Sequence, residues 1–261
     1  MRRVALIVAG VIGLWIAVLV AAGALYAGRA ADQVGERLAE SIQGTYRIGD
    51  SSLALVRGRF ALSDLHVGRD DEVGRLSLDV RDVACDLPPL GLAAVMRMCR
   101  TLEVSGVDLE VSTIALFQLK KPRRPPLRAD AIVVDDAKIA LAPSALVPGS
   151  GAIGVAIVHA EAGPTRLVTP LSWLFALRAM DAQLSLPAGI AIRLTYRDGM
   201  LAAQGSLFGA RPVRVPISIP PADEHADART QLRTLARLGV TVATQLVAAR
   251  AKDWLRDQLG L

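Results

Sequence analysis

Hydrophobic and polar residues alternate along the chain between Arg59 and Val111, where the same pattern occurs twice. One copy covers residues 60–67 (Phe-Ala-Leu-Ser-Asp-Leu-His-Val) and the other covers residues 102–109 (Leu-Glu-Val-Ser-Gly-Val-Asp-Leu). In both copies the alternation slips by one residue at a small or turn-prone pair and resumes on the opposite phase. Alternation with a period of two indicates a strand with one buried face. The extra residue that switches faces predicts a β-bulge or a tight corner.

Further alternating segments extend this pattern into a sheet. A looser third copy covers residues 132–139, and residues 75–81 between the first two copies alternate without a slip. The spacing of the copies is too irregular for a strict solenoid repeat. Asp198-Gly199 predicts a hairpin turn. More strands are expected at 155–162, 183–186, 190–196, 201–207 and 213–219. Together these segments predict a sheet with one apolar and one polar face.

Four helices are expected beside the strands. Residues 30–43 place Val34, Leu38 and Ile42 at four-residue steps and end before Gly44, a residue typical of helix ends. Two short helices are predicted at 90–98, after a pair of prolines, and at 171–180. The fourth runs from about Asp223 to Leu259, with an apolar side (Leu232, Leu235, Val242, Leu246) and a basic side (Arg229, Arg233, Arg237). This helix is expected to cover the open edge or mouth of the sheet; the alternative is contact with a membrane or a partner protein.

An uncharged run from Val4 to Ala27 follows Arg2 and Arg3 at the N-terminus. Its roughly 24 residues would form a helix of about 36 Å, which is enough to cross a bilayer. The two arginines predict a cytoplasmic N-terminus and an exported remainder. Ala22-Gly23-Ala24 would also fit the cleavage site of a signal peptide. Because the apolar run continues past that site, a retained anchor is favoured.

The predicted fold is therefore mainly β with peripheral helices. A transmembrane anchor occupies residues 1–29 and a membrane-proximal helix occupies residues 30–43. A curved antiparallel sheet forming a groove covers residues 44–221, and a long amphipathic helix covers residues 222–261.

Composition narrows the classes of partner. Hydrophobic residues make up 52% of the chain, but aromatic residues only 4%. The formal net charge is +5, of which Arg2 and Arg3 at the N-terminus supply two. Proteins that bind nucleic acid usually combine a concentrated basic patch with stacking aromatics. The composition therefore argues against a nucleic-acid partner.

Cys85 and Cys99 are the only two cysteines. They could be small buried hydrophobic residues, or they could form a disulfide if the domain lies in an oxidising compartment. A disulfide would tie the end of the strand that contains Leu76 to the start of the strand at Leu102, and it would stabilise the fold by about 3 kcal/mol.

The densest basic run is Lys-Lys-Pro-Arg-Arg-Pro-Pro-Leu-Arg at residues 120–128. Its prolines keep it out of a helix or sheet interior, so a solvated loop is the expected structure. The functional alternative is contact with anionic lipid headgroups, since each cation near such a surface contributes about 1 kcal/mol. The residues concerned are Lys120, Lys121, Arg123, Arg124 and Arg128.

Sequence signatures of catalysis are missing. His66, His159 and His225 are scattered without a second ligand at metal-binding spacing. No serine stands in a nucleophile-elbow motif, and neither a P-loop nor a dinucleotide-binding motif occurs. We therefore expect no enzyme activity, no metal site and no cofactor.

Four motifs give the chain a family resemblance. Gly58 to Val67 reads G-x-F-x-L-x-D-L-x-V, and it is followed by Leu-Ser-Leu-Asp-Val at 76–80, Asp-Leu-Pro-Pro-Leu at 86–90 and Leu-Glu-Val-Ser-Gly-Val-Asp-Leu-Glu-Val at 102–111. With the anchor and the first helix, residues 1–141 resemble the N-terminal region of AsmA-like proteins of the bacterial envelope. Residues 201–219 are similar to later repeats of that family.

The resemblance implies a curved sheet with an apolar groove, tethered to the inner membrane and linked to lipid movement and outer-membrane assembly. A dozen strands about 4.8 Å apart reach only about 58 Å, so a local lipid chaperone or a partner subunit fits this chain better than a bridge between membranes. The alternative is a non-enzymatic scaffold with a closed β core that binds another envelope protein through its C-terminal helix. The residues expected to line a lipid groove are Phe60, Leu62, Leu76, Leu78, Val80, Leu102, Val104 and Leu109.

Overall fold

Strands dominate the part of the chain that the structure describes. The structure is a computed structural model that describes residues 23, 26–54, 58–71, 74–87, 98–112, 115, 118–120, 126–142, 152–221, 223 and 226–259. Helix α1 covers residues 26–42 and helix α2 covers Ala228–Leu259. The strands are β1 (Thr45–Arg47), β2 (Asp50–Ala54), β3 (Arg59–Asp71), β4 (Gly74–Asp86), β5 (Met98–Ser112), β6 (Leu127–Ala142), β7 (Ile153–Ala162), β8 (Thr165–Leu167), β9 (Leu177–Leu186), β10 (Ile190–Arg197), β11 (Met200–Gly205) and β12 (Gly209–Pro216).

All twelve of these strands belong to one open mixed sheet. Its order is β1-β3-β4-β5-β6-β7-β9-β10-β11-β12, with β2 paired beside β1 on β3 and β8 paired with β6. The prediction of a wholly antiparallel sheet is wrong at one place, because β5 and β6 run parallel. A parallel pair requires the chain to return to the end of the sheet from which it started, and residues 113–126 provide that return. Alternation within each strand is the same in both arrangements, so the sequence pattern did not reveal the direction.

The strand register aligns the apolar side chains into continuous rows across the sheet. One row consists of Leu62, Val83, Val104, Val134, Ala160 and Met180. The next row along the strands consists of Leu65, Val80, Val107, Ala137, Ile157 and Ala182. Side chains directly opposite each other on neighbouring strands pack together. The rows therefore form one apolar layer on a single face of the sheet.

A row of kinked residues lies between these two apolar rows. Asp64 (φ 53°), Gly106 (φ 63°) and Asp136 (φ 52°) all have left-handed backbone conformations. They stand in β3, β5 and β6 at the predicted slips of the pattern, which confirms that the strands change phase there. The kink returns the next apolar residue to the same face, so Leu62 and Leu65 are both buried.

Arg81 of β4 crosses the kink in β5. A Cβ atom added to Gly106 would lie 2.7 Å from the Cβ, Nε and Nη2 atoms of Arg81. The Arg81 guanidinium reaches Asp136 of β6, with its Nη2 atom 3.0 Å from Oδ2. Glycine at position 106 therefore serves two purposes, because it allows the positive φ angle and leaves room for the arginine.

Both long helices pack on the apolar face of the sheet. Ala27, Ala30 and Ala31 of α1 belong to a buried cluster with Phe60 and Leu62. The second half of α1 contributes to a neighbouring cluster around Leu65, Val67 and Val111 through Ala39 and Ile42. Helix α2 contributes Leu246 to a third cluster, which contains Tyr196, Leu201 and Val213. The predicted helix at 30–43 is thus present, and it covers part of the sheet as well as leading into it.

The start of α2 is fixed by polar contacts. The backbone N–H of Thr230 donates a hydrogen bond to Asp227 Oδ1 over 2.8 Å, as in an N-terminal cap. Hydrogen bonding with the Thr230 side chain and then with its backbone lowers the pKa of the Asp227 carboxyl. The helix therefore begins at Ala228 and not at Asp223 as predicted. One turn later, the buried Gln231 donates from Nε2 to Ser172 Oγ over 3.3 Å and also contacts Thr169.

Several predicted segments differ from the structure or lie outside it. The helix expected at 171–180 is only a short 3-10 helix at Ser172–Ala176, and β9 begins at Leu177 because residues 177–186 pair with β7 and β10. Residues 90–97 of the short helix predicted at 90–98 lie outside the described residues, and its last residue, Met98, opens β5 instead. Almost all of the predicted anchor, Val4 to Ala27, also lies outside them. None of the helices in the described ranges is long and apolar enough to cross a membrane.

Candidate functional site

One transverse row of the apolar face is less covered than its neighbours. We call this row the apolar stripe; it consists of Leu78, Leu109, Ile139, Val155 and Leu184, which are aligned by the register of β4, β5, β6, β7 and β9. Each of the five side chains is half-buried. The row continues into Val67 of β3 and Ile192 of β10, both of which are buried. The apolar stripe is therefore the half-open middle of a longer aliphatic row.

The apolar stripe connects the three buried clusters. Leu78 and Leu109 pack on the second cluster, Ile139 and Val155 on the first, and Leu184 on the third. Five adjacent strands about 4.8 Å apart give the stripe a length of about 19 Å. The result is a narrow aliphatic surface of the length of a long acyl chain.

The structure places all eight residues predicted to line a lipid groove in the first two clusters. Leu78, Val104 and Leu109 are half-buried. Protein side chains cover the other five, which are Phe60, Leu62, Leu76, Val80 and Leu102. Sequence reasoning missed Ile139, Val155 and Leu184. Their alternation was visible, but only the register shows that they extend the row of Leu78 and Leu109.

The predicted headgroup contacts do not form a single described cluster. Lys120 is exposed and lines a cavity of about 710 Å³ at the end of α1, together with Glu36 and Glu40. Arg128 is an exposed residue of β6, and its Nε atom lies 3.7 Å from Asp130 Oδ1. Lys121, Arg123 and Arg124 lie outside the described residues. The two described cations therefore both have carboxylates nearby.

A second cavity, of about 380 Å³, lies beside the start of α2. Its walls include Thr165, Ser172, Arg178 and Gln231. The walls also include Val168, Phe175 and Ala176, so the cavity has a mixed polar and apolar lining. Residues of the apolar stripe line neither this cavity nor the one beside Lys120.

Cys85 and Cys99 are joined as a disulfide. Their Sγ atoms are 2.02 Å apart and their Cα atoms are 5.4 Å apart. Both residues are buried in the first cluster, and Cys85 stands directly opposite Leu102 in the strand register. The bond fixes the end of β4 to the start of β5, under the part of the apolar face that α1 covers.

The opposite face of the sheet carries charged residues that pair across strands. Nδ1 of His66 is 2.7 Å from Asp79 Oδ1, and Nη2 of Arg193 is 2.7 Å from Asp181 Oδ2. His159 lies between two carboxylates: its Nδ1 is 2.6 Å from Asp135 Oδ1 and its Nε2 is 3.1 Å from Glu161 Oε1. In the ranges that the structure describes, no group of His, Cys, Asp and Glu is arranged to hold a metal ion. This face is a solvated ion-pair surface.

His159 is expected to make the stability of the fold depend on pH. Its hydrogen bonds to Asp135 and Glu161 raise the pKa of the imidazole above 6.5. The stabilisation is therefore fully present below the unfolded pKa of about 6.5 and is lost as the pH rises through the higher folded pKa. Because 41% of the side chain is exposed, we expect at most about 1 kcal/mol. The free energy of unfolding of the wild type should exceed that of His159→Gln by more at pH 5.5 than at pH 8.5. An equal difference at the two pH values would contradict this expectation.

Fold and surface together define a class of protein. It is a mainly β protein built on one large open mixed sheet, with helices α1 and α2 on the apolar face and a half-buried aliphatic row between the buried clusters. The chain matches no protein-family model and no curated protein.

Proposed function

We propose that the protein shelters the acyl chain of a lipid on its apolar stripe. The observation that carries the proposal is the continuous, half-buried row formed by Leu78, Leu109, Ile139, Val155 and Leu184. The apolar N-terminal segment would hold the protein in the inner membrane, with a cytoplasmic N-terminus and the sheet in the periplasm. In line with the resemblance to AsmA-like proteins, the lipid would be held or transferred during biogenesis of the outer membrane or envelope.

The proposed mechanism is burial without catalysis. Each methylene group removed from water contributes about 0.8 kcal/mol, so eight buried methylenes contribute about 6 kcal/mol. The aliphatic side chains of the stripe provide no directional contact that would distinguish one acyl chain from another. Binding would therefore tolerate variation in the chain and would need no cofactor.

A photo-crosslinking residue at position 139 is expected to capture lipid in cells. The full-length chain would carry benzoylphenylalanine in place of Ile139, and adducts would be identified by mass spectrometry after feeding a labelled phospholipid. The matched control is the same residue at Val158, which is 64% exposed and lies three positions after Val155, the stripe residue of the neighbouring strand β7. Lipid adducts should form at position 139 and be several-fold rarer at position 158.

A second variant tests whether the capture depends on the stripe. Leu109→Gln, on the strand next to Ile139, should lower the adduct yield at position 139 several-fold, because a polar amide would replace an apolar contact of the bound chain. Thermal unfolding of this variant would establish that the sheet remains folded. A folded protein that yields no lipid adduct at position 139, or as much at position 158, would overturn the proposal.

A scaffold is the second candidate function. It is favoured by the packing of α1 on the apolar face, in the two clusters that bury five of the predicted groove residues under the protein's own side chains. Such a protein would act through α2 on another envelope protein. Protein adducts in place of lipid adducts in the same crosslinking experiment would favour this function.

A further inference from the structure

Helix α2 has an apolar side that does not contact the sheet. Its sheet side carries Ala228, Gln231 and Leu246, which are all buried. On the opposite side, Val240 is 68% exposed, Val247 is 64% exposed and Trp254 is 55% exposed. Each of these residues follows the previous one by seven positions, so the three lie along one line of the helix. Large aliphatic and aromatic side chains are seldom left exposed in a line unless the surface has a partner.

The same line continues as a basic surface toward the start of α2. Arg229, Arg233 and Arg237 are exposed and lead to Val240 in steps of three or four residues. We call this line, from Arg229 to Trp254, the outer face of α2. No Asp or Glu occurs between Ala228 and Lys252, although Asp227 attracts Arg229 and Arg233 from the cap position. The outer face is thus basic in its first half and apolar in its second.

We propose that the outer face of α2 lies on an anionic lipid surface. Lipid phosphates would bind the three arginines, while Val240, Val247 and Trp254 would enter the boundary between headgroups and acyl chains. Tryptophan is well suited to this boundary because its ring is apolar and its N–H can remain hydrated. This contact is separate from the apolar stripe on the sheet and does not depend on the proposed function.

The distribution of charge on the outer face favours a lipid surface over a second copy of the chain as its partner. A parallel pair of α2 helices would place arginine against arginine, and an antiparallel pair would place each arginine row against the apolar half of the other helix. The line from Arg229 to Trp254 contains no carboxylate of its own to pair with the arginines of a second copy; the acidic residues nearest to it in the sequence, Asp227, Asp253 and Asp257, stand only at its two ends. An anionic bilayer offers phosphate groups and an apolar interior to the same helix.

The test follows Trp254 in the full-length chain. The protein would be reconstituted into vesicles of brominated phosphatidylcholine, alone or mixed with brominated phosphatidylglycerol. Subtracting the fluorescence emission of the Trp254→Phe variant leaves the emission of Trp254 and removes that of Trp15 and Trp173. Emission from Trp254 should be quenched and shifted to shorter wavelength in the anionic vesicles, and high salt should reverse both changes.

Two sets of substitutions separate the outer face from basic charge in general. Replacing Arg229, Arg233 and Arg237 with Gln should reduce the quenching by more than about half, since three lipid contacts are lost. The matched control replaces Arg211 and Arg214, two exposed arginines of β12, with Gln and should leave the quenching unchanged. Absence of quenching in anionic vesicles, or equal quenching in the two lipid mixtures, would overturn the proposal. The proposal would also be overturned if two copies of the chain crosslink at position 254 and lipid does not quench Trp254.

Discussion

Replacing Gly106 with alanine is expected to lower the free energy of unfolding by about 2–3 kcal/mol. Two physical causes add up at this position. A non-glycine residue resists the φ angle of 63°, and the new Cβ atom would lie 2.7 Å from the Cβ atom of Arg81, which the side chain cannot avoid by rotation. Moving Arg81 aside would also disturb its ion pair with Asp136. Equilibrium unfolding in urea would measure the loss.

Gly189→Ala is the matched control for Gly106→Ala. Gly189 has a similar φ angle, 73°, but no atom lies within 4 Å of the Cβ position. This substitution should therefore show the backbone cost alone, about 1 kcal/mol. If the two variants lose the same stability, the crossing of Arg81 over Gly106 does not contribute, and the kinked row depends on backbone conformation only.

The kinked row shows how far the sequence predicts this fold. The phase slips near Asp64, Gly106 and Asp136 were visible in the sequence as interruptions of alternation. At each slip an extra residue, or a small or turn-prone one, takes the positive φ angle, and this is a local feature of the sequence. Their alignment into one row was not visible. It depends on the register between neighbouring strands of the sheet, and a strand pattern alone does not define register. The parallel pairing of β5 and β6 was missed because the alternation within a strand is the same in parallel and antiparallel pairs.

The apolar stripe was predictable only in part. Leu78 and Leu109 were expected on the apolar face because they alternate cleanly with polar residues. Whether such a residue is buried or half-open depends on where the helices pack, and α1 packs mainly through alanines such as Ala27, Ala31 and Ala39. Alanine forms a weak hydrophobic pattern, so the sequence did not show that α1 covers the sheet.

Removing the disulfide is expected to destabilise the sheet by about 3 kcal/mol. The bond between Cys85 and Cys99 closes a loop with a sequence separation of 14 residues, and opening it restores conformational freedom to the unfolded chain. The double variant Cys85→Ala/Cys99→Ala should show this loss in urea unfolding. Wild type should lose a similar amount when a reductant is added, whereas the reductant should not affect the double variant. A wild type that unfolds at the same urea concentration with and without reductant would contradict the expected effect.

The disulfide also tests the proposed export of the sheet. Disulfides persist in the periplasm and are reduced in the cytosol, so the state of Cys85 and Cys99 in cells reports the compartment of β4 and β5. Both thiols are buried, which makes it necessary to quench the cells with acid and denature the protein before alkylation. In a periplasmic sheet, alkylation should occur only after a reductant is added. Alkylation without reductant would mean that the sheet lies in a reducing compartment, and the proposed periplasmic handling of lipid would then be excluded even if the apolar stripe binds lipid in vitro.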